Sequence, residues 1–131
     1  MPLPDDVRRL LEQASLCFLA TTMPDGSPQV TQVWVDTDGE HVLVNCVEGS
    51  VKLRNIAREP RVALAVADRA DPKRYAQIRG RVVTTTTDGA VEQIDRFAQK
   101  YLGTPYPWFG GRDQVRVSLV IAAESLSRRD G

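Results

Sequence analysis

The chain has 131 residues, enough for one domain with a buried core, and an ordinary globular composition of 42% hydrophobic and 26% charged residues. Seventeen basic residues balance seventeen acidic ones, so the formal net charge is zero. That excludes a global pull toward nucleic acid or an acidic membrane, and any affinity for anions has to come from local placement.

The N-terminal stretch MPLPDDVRRLLEQAS is acidic and amphipathic and does not read as a signal peptide. No apolar run approaches the roughly 20 residues of a membrane span. Cys17 and Cys46 have neither metal nor redox spacing. Together these features predict a cytoplasmic protein with two reduced thiols. Residues 5–14 put Val7, Leu10, Leu11 and Ala14 on one face of a short helix, with Asp5 or Asp6 as N-cap.

Three apolar, β-branched runs follow: Leu16–Thr22, Gln29–Val35 and His41–Cys46. The separators PDGSP and DTDG contain Asp-Gly steps, which supply the positive φ that hairpins need. The pattern predicts a three-stranded meander. A helix is predicted from Val51 to Arg58, with Ser50 as N-cap and Pro60 ending the pattern. Leu53, Ile56 and Ala57 form its core face; Lys52 and Asn55 share a neighbouring face, and Arg54 and Arg58 another. Arg61–Asp68 reads as a buried strand, DRADPKR as a loop, and Tyr75–Thr87 as a long strand in which Gly80 suggests a bulge or bend. DGAVEQIDRFAQKYLG gives a helix ending at Gly103, with Val91, Ile94, Phe97, Ala98, Tyr101 and Leu102 on one face. The loop GTPYPWFGGRD leads into a last strand, Gln114–Ser127, and the tail RRDG reads as frayed. Short consecutive strands joined by hairpin turns argue for an antiparallel barrel or sandwich and against a doubly wound sheet.

One feature of the second helix points to chemistry. A helix start carries about half a positive charge and unpaired backbone N–H groups, which makes it a ready anion site. Lys52 in the first turn opposes the helix dipole, so it is easier to understand with an anionic ligand beside it. The plainer reading is a solvated helix face, since exposed Lys and Arg are common.

KLRNIAREPRVAL, preceded by the strand GSPQVTQVWV and followed by YAQIRGRV, resembles the pyridoxamine-phosphate-oxidase-like split β-barrel superfamily, and within it the deazaflavin-dependent oxidoreductases that use coenzyme F420. No single piece is highly specific; the ordered set is fairly specific, and it covers nearly the whole chain. The resemblance implies a mainly β fold with peripheral helices: a six-stranded antiparallel split β-barrel, a single domain over residues 1–131, assembled as a homodimer. It implies that Ser50 and Lys52 hold the cofactor phosphate; many relatives have a basic residue where this chain has Ser50 or Val51. It implies that Gln32, Val33 and Trp34 run along the ring system, that Asn45 and Cys46 lie beside the ribityl chain, and that Tyr75 and Gln77 reach across the dimer interface. The loop around Tyr106 and Trp108 would cover the ring. Coenzyme F420 is the implied cofactor, with FMN as the alternative.

Structural readings stand beside these. Trp34 also suits a core or dimer aromatic, and Tyr106 and Trp108 a closure of the barrel end. Arg54 suits an ion pair, Cys46 a small residue at the core edge, and His41 an exposed strand start. Three consecutive apolar residues, Val33, Trp34 and Val35, need cover on both faces of their strand, which is a further argument for a dimer.

The chain has one His and no Ser-His-Asp set, P-loop or GxGxxG. An enzyme built this way takes its chemistry from a cofactor, and the protein supplies binding and orientation. The expected activity is hydride transfer between a deazaflavin and an electron-poor small-molecule substrate. A non-enzymatic flavin, deazaflavin or haem carrier would carry the same motifs. An oligonucleotide-binding barrel is disfavoured by zero net charge and few strand aromatics. Pyridoxamine-phosphate oxidation itself is disfavoured because the Arg-x-His-type ending is absent.

Overall fold

The computed structural model describes residues 1–130, with side chains to Arg129. Three helices, α1 (Asp5–Glu12), α2 (Val51–Arg58) and α3 (Ala90–Leu102), surround seven strands: β1 (Leu16–Thr22), β2 (Pro28–Val33), β3 (Val35–Thr37), β4 (Val42–Val47), β5 (Arg61–Ala67), β6 (Arg74–Thr86) and β7 (Arg116–Asp130). All belong to one antiparallel sheet in the order β2-β1-β5-β6-β7-β4-β3.

The mainly β, antiparallel architecture agrees with the sequence reading, and one strand differs. The run Gln29–Val35 is not a single strand, which raises the count from six to seven. It breaks at Trp34, and its halves pair at opposite edges of the sheet: β2 with β1, β3 with β4. The meander is therefore two hairpins, each with a positive-φ glycine in its turn, Gly26 and Gly39. Because the two edge strands are separated by one residue, the sheet has to curl until its edges meet at Trp34. At the break Val33 and Val35 both point into the main core, the indole between them stacks on Tyr101, and the Val35 N–H donates to the Tyr101 hydroxyl (3.2 Å).

The core is filled by alternating residues of β1, β4, β5, β6 and β7 with Val7, Leu10 and Leu11 of α1 and Ile56 of α2. Gly80 marks an irregularity in the β6–β7 pairing, as expected; a Cβ there would run into the backbone carbonyl of Ala122. A second shift, between Val82 and Thr84, leaves Val83 exposed.

Several local expectations are corrected. Pro4, not Asp5 or Asp6, precedes the first turn of α1, and both aspartates lie within that turn, where negative charge suits the dipole. On α2 the buried pair is Asn55 and Ile56, and Ala57 is exposed. Asn55 is 2% exposed because its amide donates to Thr21 Oγ1 (3.0 Å) at the end of β1. On α3, Val91 and Leu102 are exposed; Ile94, Phe97 and Ala98 carry the buried face. Gly103 ends that helix with φ 75°. β7 continues through Arg128 and Arg129 to Asp130, paired with the start of β6, so the tail is not frayed up to that point; Gly131 lies outside the described residues.

Candidate functional site

A cavity of about 410 Å3 opens where the sheet edges meet. Gln32, Val33 and Trp34 come to it from the β2–β3 break, Asn45, Cys46 and Val47 from β4, and Ser50 and Lys52 from the start of α2. Seven of the ten residues singled out from the sequence thus share one lining. Its size falls within the usual range of small-molecule sites.

The start of α2 is built as expected. Ser50 is the N-cap, its Oγ accepting from the Leu53 N–H at 3.4 Å, and no acidic residue occupies the first turn. Lys52 therefore faces the cavity with no carboxylate of its own helix turn to neutralise it. Arg54 neither forms an ion pair nor lines the cavity; it donates to the Gly49 carbonyl (2.5 Å). Arg58, at the far end, donates to the Thr22 carbonyl (2.6 Å) and to Asn55 Oδ1 (3.0 Å).

One wall is aromatic. Trp34 stacks on Tyr101 of α3 with centroids 5.3 Å apart and planes 15° apart, and meets Tyr106 edge-on at 6.3 Å. The Tyr101 hydroxyl donates to the Ser15 carbonyl (2.7 Å) while accepting from Val35, which locks the ring. Trp34 is thus covered within the chain by α3, so the three apolar residues in a row do not by themselves call for a second copy.

The loop after α3 contributes differently from the sequence reading. Tyr106 is buried and lines the cavity; Trp108 packs on Tyr106 (5.3 Å) from outside, and Phe109, 73% exposed, stands at the cavity instead. Tyr75 and Gln77 do not line it. They lie on the outer face of β6, where Gln77 is exposed.

Two cationic residues of the lining were missed, Arg69 and Arg116. Arg116 is 7% exposed. Its Nε donates to Asn45 Oδ1 (2.9 Å), its Nη1 to the Tyr106 hydroxyl (3.3 Å) and to Gln114 Oε1 (3.4 Å), and the guanidinium lies over the Tyr106 ring at 5.1 Å. Asn45 in turn donates to the Ala90 carbonyl and to Gln93 Oε1, both at 2.8 Å, tying β4 to the start of α3. Every polar atom of Asn45 is thus committed to the protein. The sequence signal for Arg116 was slight: one Arg in the alternating run QVRVSLV.

The electrostatics of the lining have one sign. Lys52, Arg69 and Arg116 line it, and among the described residues no Asp or Glu does. Burial pushes the Cys46 thiol up, opposed by Lys52, a hydrogen bond with Ser50, and Arg116. That shift disfavours the thiolate that a nucleophilic cysteine needs. His41 is partly buried just before β4 and is held by Asp38 (3.0 Å), away from the site. Among the described residues no group of His, Cys, Asp and Glu could hold a metal ion, and no helix is long and apolar enough to cross a membrane.

The donor set fits a flavin-type cofactor: a flat aromatic wall for a ring and a cationic, carboxylate-free end with a helix start for a phosphate. Comparison with known proteins points the same way. A family model described as pyridoxamine 5'-phosphate oxidase matches residues 3–127. A solved structure named F420 reductase is 31% identical, with a TM-score of 0.83, covering 95% of this chain and 98% of that one. A conserved hypothetical protein of Mycobacterium tuberculosis (23% identity, TM-score 0.74, 98% and 85% covered) shares the fold. So does General Stress Protein 26 of Bacillus anthracis (15% identity, TM-score 0.71, 95% and 92% covered). No curated protein matches the sequence.

Proposed function

We propose, for a chain that belongs to the pyridoxamine 5'-phosphate oxidase family, that the cavity at the sheet seam binds coenzyme F420 and that the protein is a cytoplasmic F420-dependent oxidoreductase. The observation that carries the reading is the pairing of the Trp34–Tyr101 wall with the carboxylate-free cationic lining of Lys52, Arg69 and Arg116. The similarity to a structure named F420 reductase favours the deazaflavin over FMN; FMN remains the alternative, since both present a ribityl phosphate.

The bound cofactor would supply a hydride to an electron-poor organic acceptor. The chain's own residues bind and orient. Ser50 and Lys52 hold the phosphate at the start of α2, and Gln32, Val33 and Trp34 flank the ring. Asn45 and Cys46 lie beside the ribityl chain, with Asn45 acting through the groups it fixes. Tyr106 and Phe109 form the wall that keeps water from the ring, with Trp108 buttressing Tyr106. A flat, apolar acceptor suits that wall.

The protein acts as a homodimer in this reading. Support comes from the outer face of β1, β2, β5 and β6. Phe18 (42% exposed) belongs there to a cross-strand row of Gln32, Phe18, Ala65 and Gln77, and Val30 (63% exposed) stands beside it. Gln32 belongs both to that row and to the cavity lining. A second copy docked on this face would bring its Tyr75 and Gln77 toward the rim.

The test is to titrate F420 and FMN separately into the purified protein while following tryptophan fluorescence, since Trp34 is in the lining. Saturable quenching by F420 supports the reading. Tight FMN retention with no F420 binding moves it to FMN.

A further inference from the structure

We infer that Arg116 on β7 and Lys52 on α2 form a two-cation clamp on one anionic group of the ligand, a phosphate monoester or diester. The inference rests on the proposed cofactor for the identity of that group and on the protein alone for the clamp.

The carrying observation is a buried charge without a counter-ion. Arg116 is more than nine-tenths buried, yet all three of its hydrogen-bond partners, Asn45, Tyr106 and Gln114, are neutral side chains. Among the described residues it forms no ion pair with any carboxylate. A guanidinium taken out of water needs compensating charge, and a lone buried ion is costly. Nε and Nη1 are occupied, and among the described residues Nη2 has no hydrogen-bond partner. Arg116 lines the same cavity as Lys52, and it pairs in register with Val47 of β4, three residues before the Ser50 cap of α2. A planar guanidinium fork and an ammonium lining one cavity suit a phosphate group.

The same guanidinium holds the hydroxyl and the face of Tyr106. A purely structural Arg116 would therefore serve the loop and not the anion, and the test has to separate these roles. Each ring system is titrated with and without its phosphate: FMN against riboflavin, and the deazaflavin ribityl 5'-phosphate against the free ribityl deazaflavin. The proteins are wild type, Arg116→Gln, Arg116→Lys and Lys52→Gln. The clamp requires Arg116→Gln to weaken the phosphorylated ligand about tenfold or more, the size of one charge-assisted hydrogen bond. The phosphate-free ligand should be unchanged, and Arg116→Lys should retain part of the affinity. Equal losses for both ligands of a pair, or no loss for either, would overturn it. If no flavin or deazaflavin binds the wild type, the cofactor reading fails on its own, and inorganic pyrophosphate then decides the clamp. A rise in melting temperature that Arg116→Gln abolishes upholds it. No rise in the wild type, or the same rise in both proteins, overturns it.

Discussion

Tyr101 lies against Trp34 with ring centroids 5.3 Å apart and planes 15° apart, and its hydroxyl bridges the Val35 N–H and the Ser15 carbonyl. One side chain of α3 thereby holds the residue at which the sheet closes on itself. Tyr101→Phe keeps the ring contact and leaves the Val35 N–H and the Ser15 carbonyl without this partner. We expect a loss of about 1–2 kcal/mol in urea unfolding, with an unchanged unfolding slope. A loss below about 0.5 kcal/mol would mean that water replaces the hydroxyl at no cost.

The helix-start site should show polarity along α2. Lys52→Ala is expected to weaken cofactor binding by about 1.5–3 kcal/mol if the ammonium makes a charge-assisted hydrogen bond to phosphate. Arg58→Ala, six residues on, should leave binding unchanged, because Arg58 serves the Thr22 carbonyl and Asn55. Equal effects of the two changes, or none from either, would place the phosphate elsewhere.

These two sites differ in how legible they were. The bounds of α2 could be read to the residue, because Ser50 and Pro60 punctuate it and Leu53 and Ile56 keep helical spacing. Asn55 was placed beside Lys52, off the core face: its burial depends on Thr21, 34 positions away, and no local pattern reports that partner. The break at Trp34 was hidden for the same reason. Val33, Trp34 and Val35 have strand character throughout, and the break shows only in the pairing of the two halves with different strands, β1 and β4. Arg116 escaped because an Arg in an alternating strand reads as solvent-facing; Tyr106 and Gln114, from the loop before β7, bury it against Asn45.

Gly80 should tolerate no side chain. A Cβ would meet the Ala122 carbonyl, which belongs to the paired backbone of β7 and cannot swing away. Gly80→Ala is expected to cost about 3 kcal/mol or more. Gly39→Ala, in open space at φ 98°, should cost only the strain of its turn, about 1 kcal/mol. Thermal melts of the two variants check the order.

Stability should fall in alkali. Burial pushes the Cys17 thiol from 9.0 up to about 12, and the Tyr101 phenol from 10.0 up to about 12. Both groups hold their protons more tightly when folded, so their contribution is complete below about pH 9 and is lost as pH rises toward 12. Denaturation midpoints should be flat with respect to these groups below pH 9 and decline above it. Cys17→Ala should decline less steeply than wild type, whatever its stability at neutral pH; identical slopes would contradict the assignment.

The outer face should govern assembly. Light scattering is expected to give a dimer mass for the wild type, and Phe18→Glu or Val30→Lys a monomer that keeps its fold by circular dichroism. A wild-type monomer would leave Tyr75 and Gln77 without a role at the site.

The most direct test of the account mixes the protein with reduced F420 and a panel of quinones, enones and tetrapyrroles, following the return of the oxidised deazaflavin absorbance. We expect oxidation that requires both protein and acceptor and that Lys52→Ala slows at limiting F420. Binding of reduced F420 with no oxidation by any acceptor would contradict the enzyme reading and leave a carrier in its place.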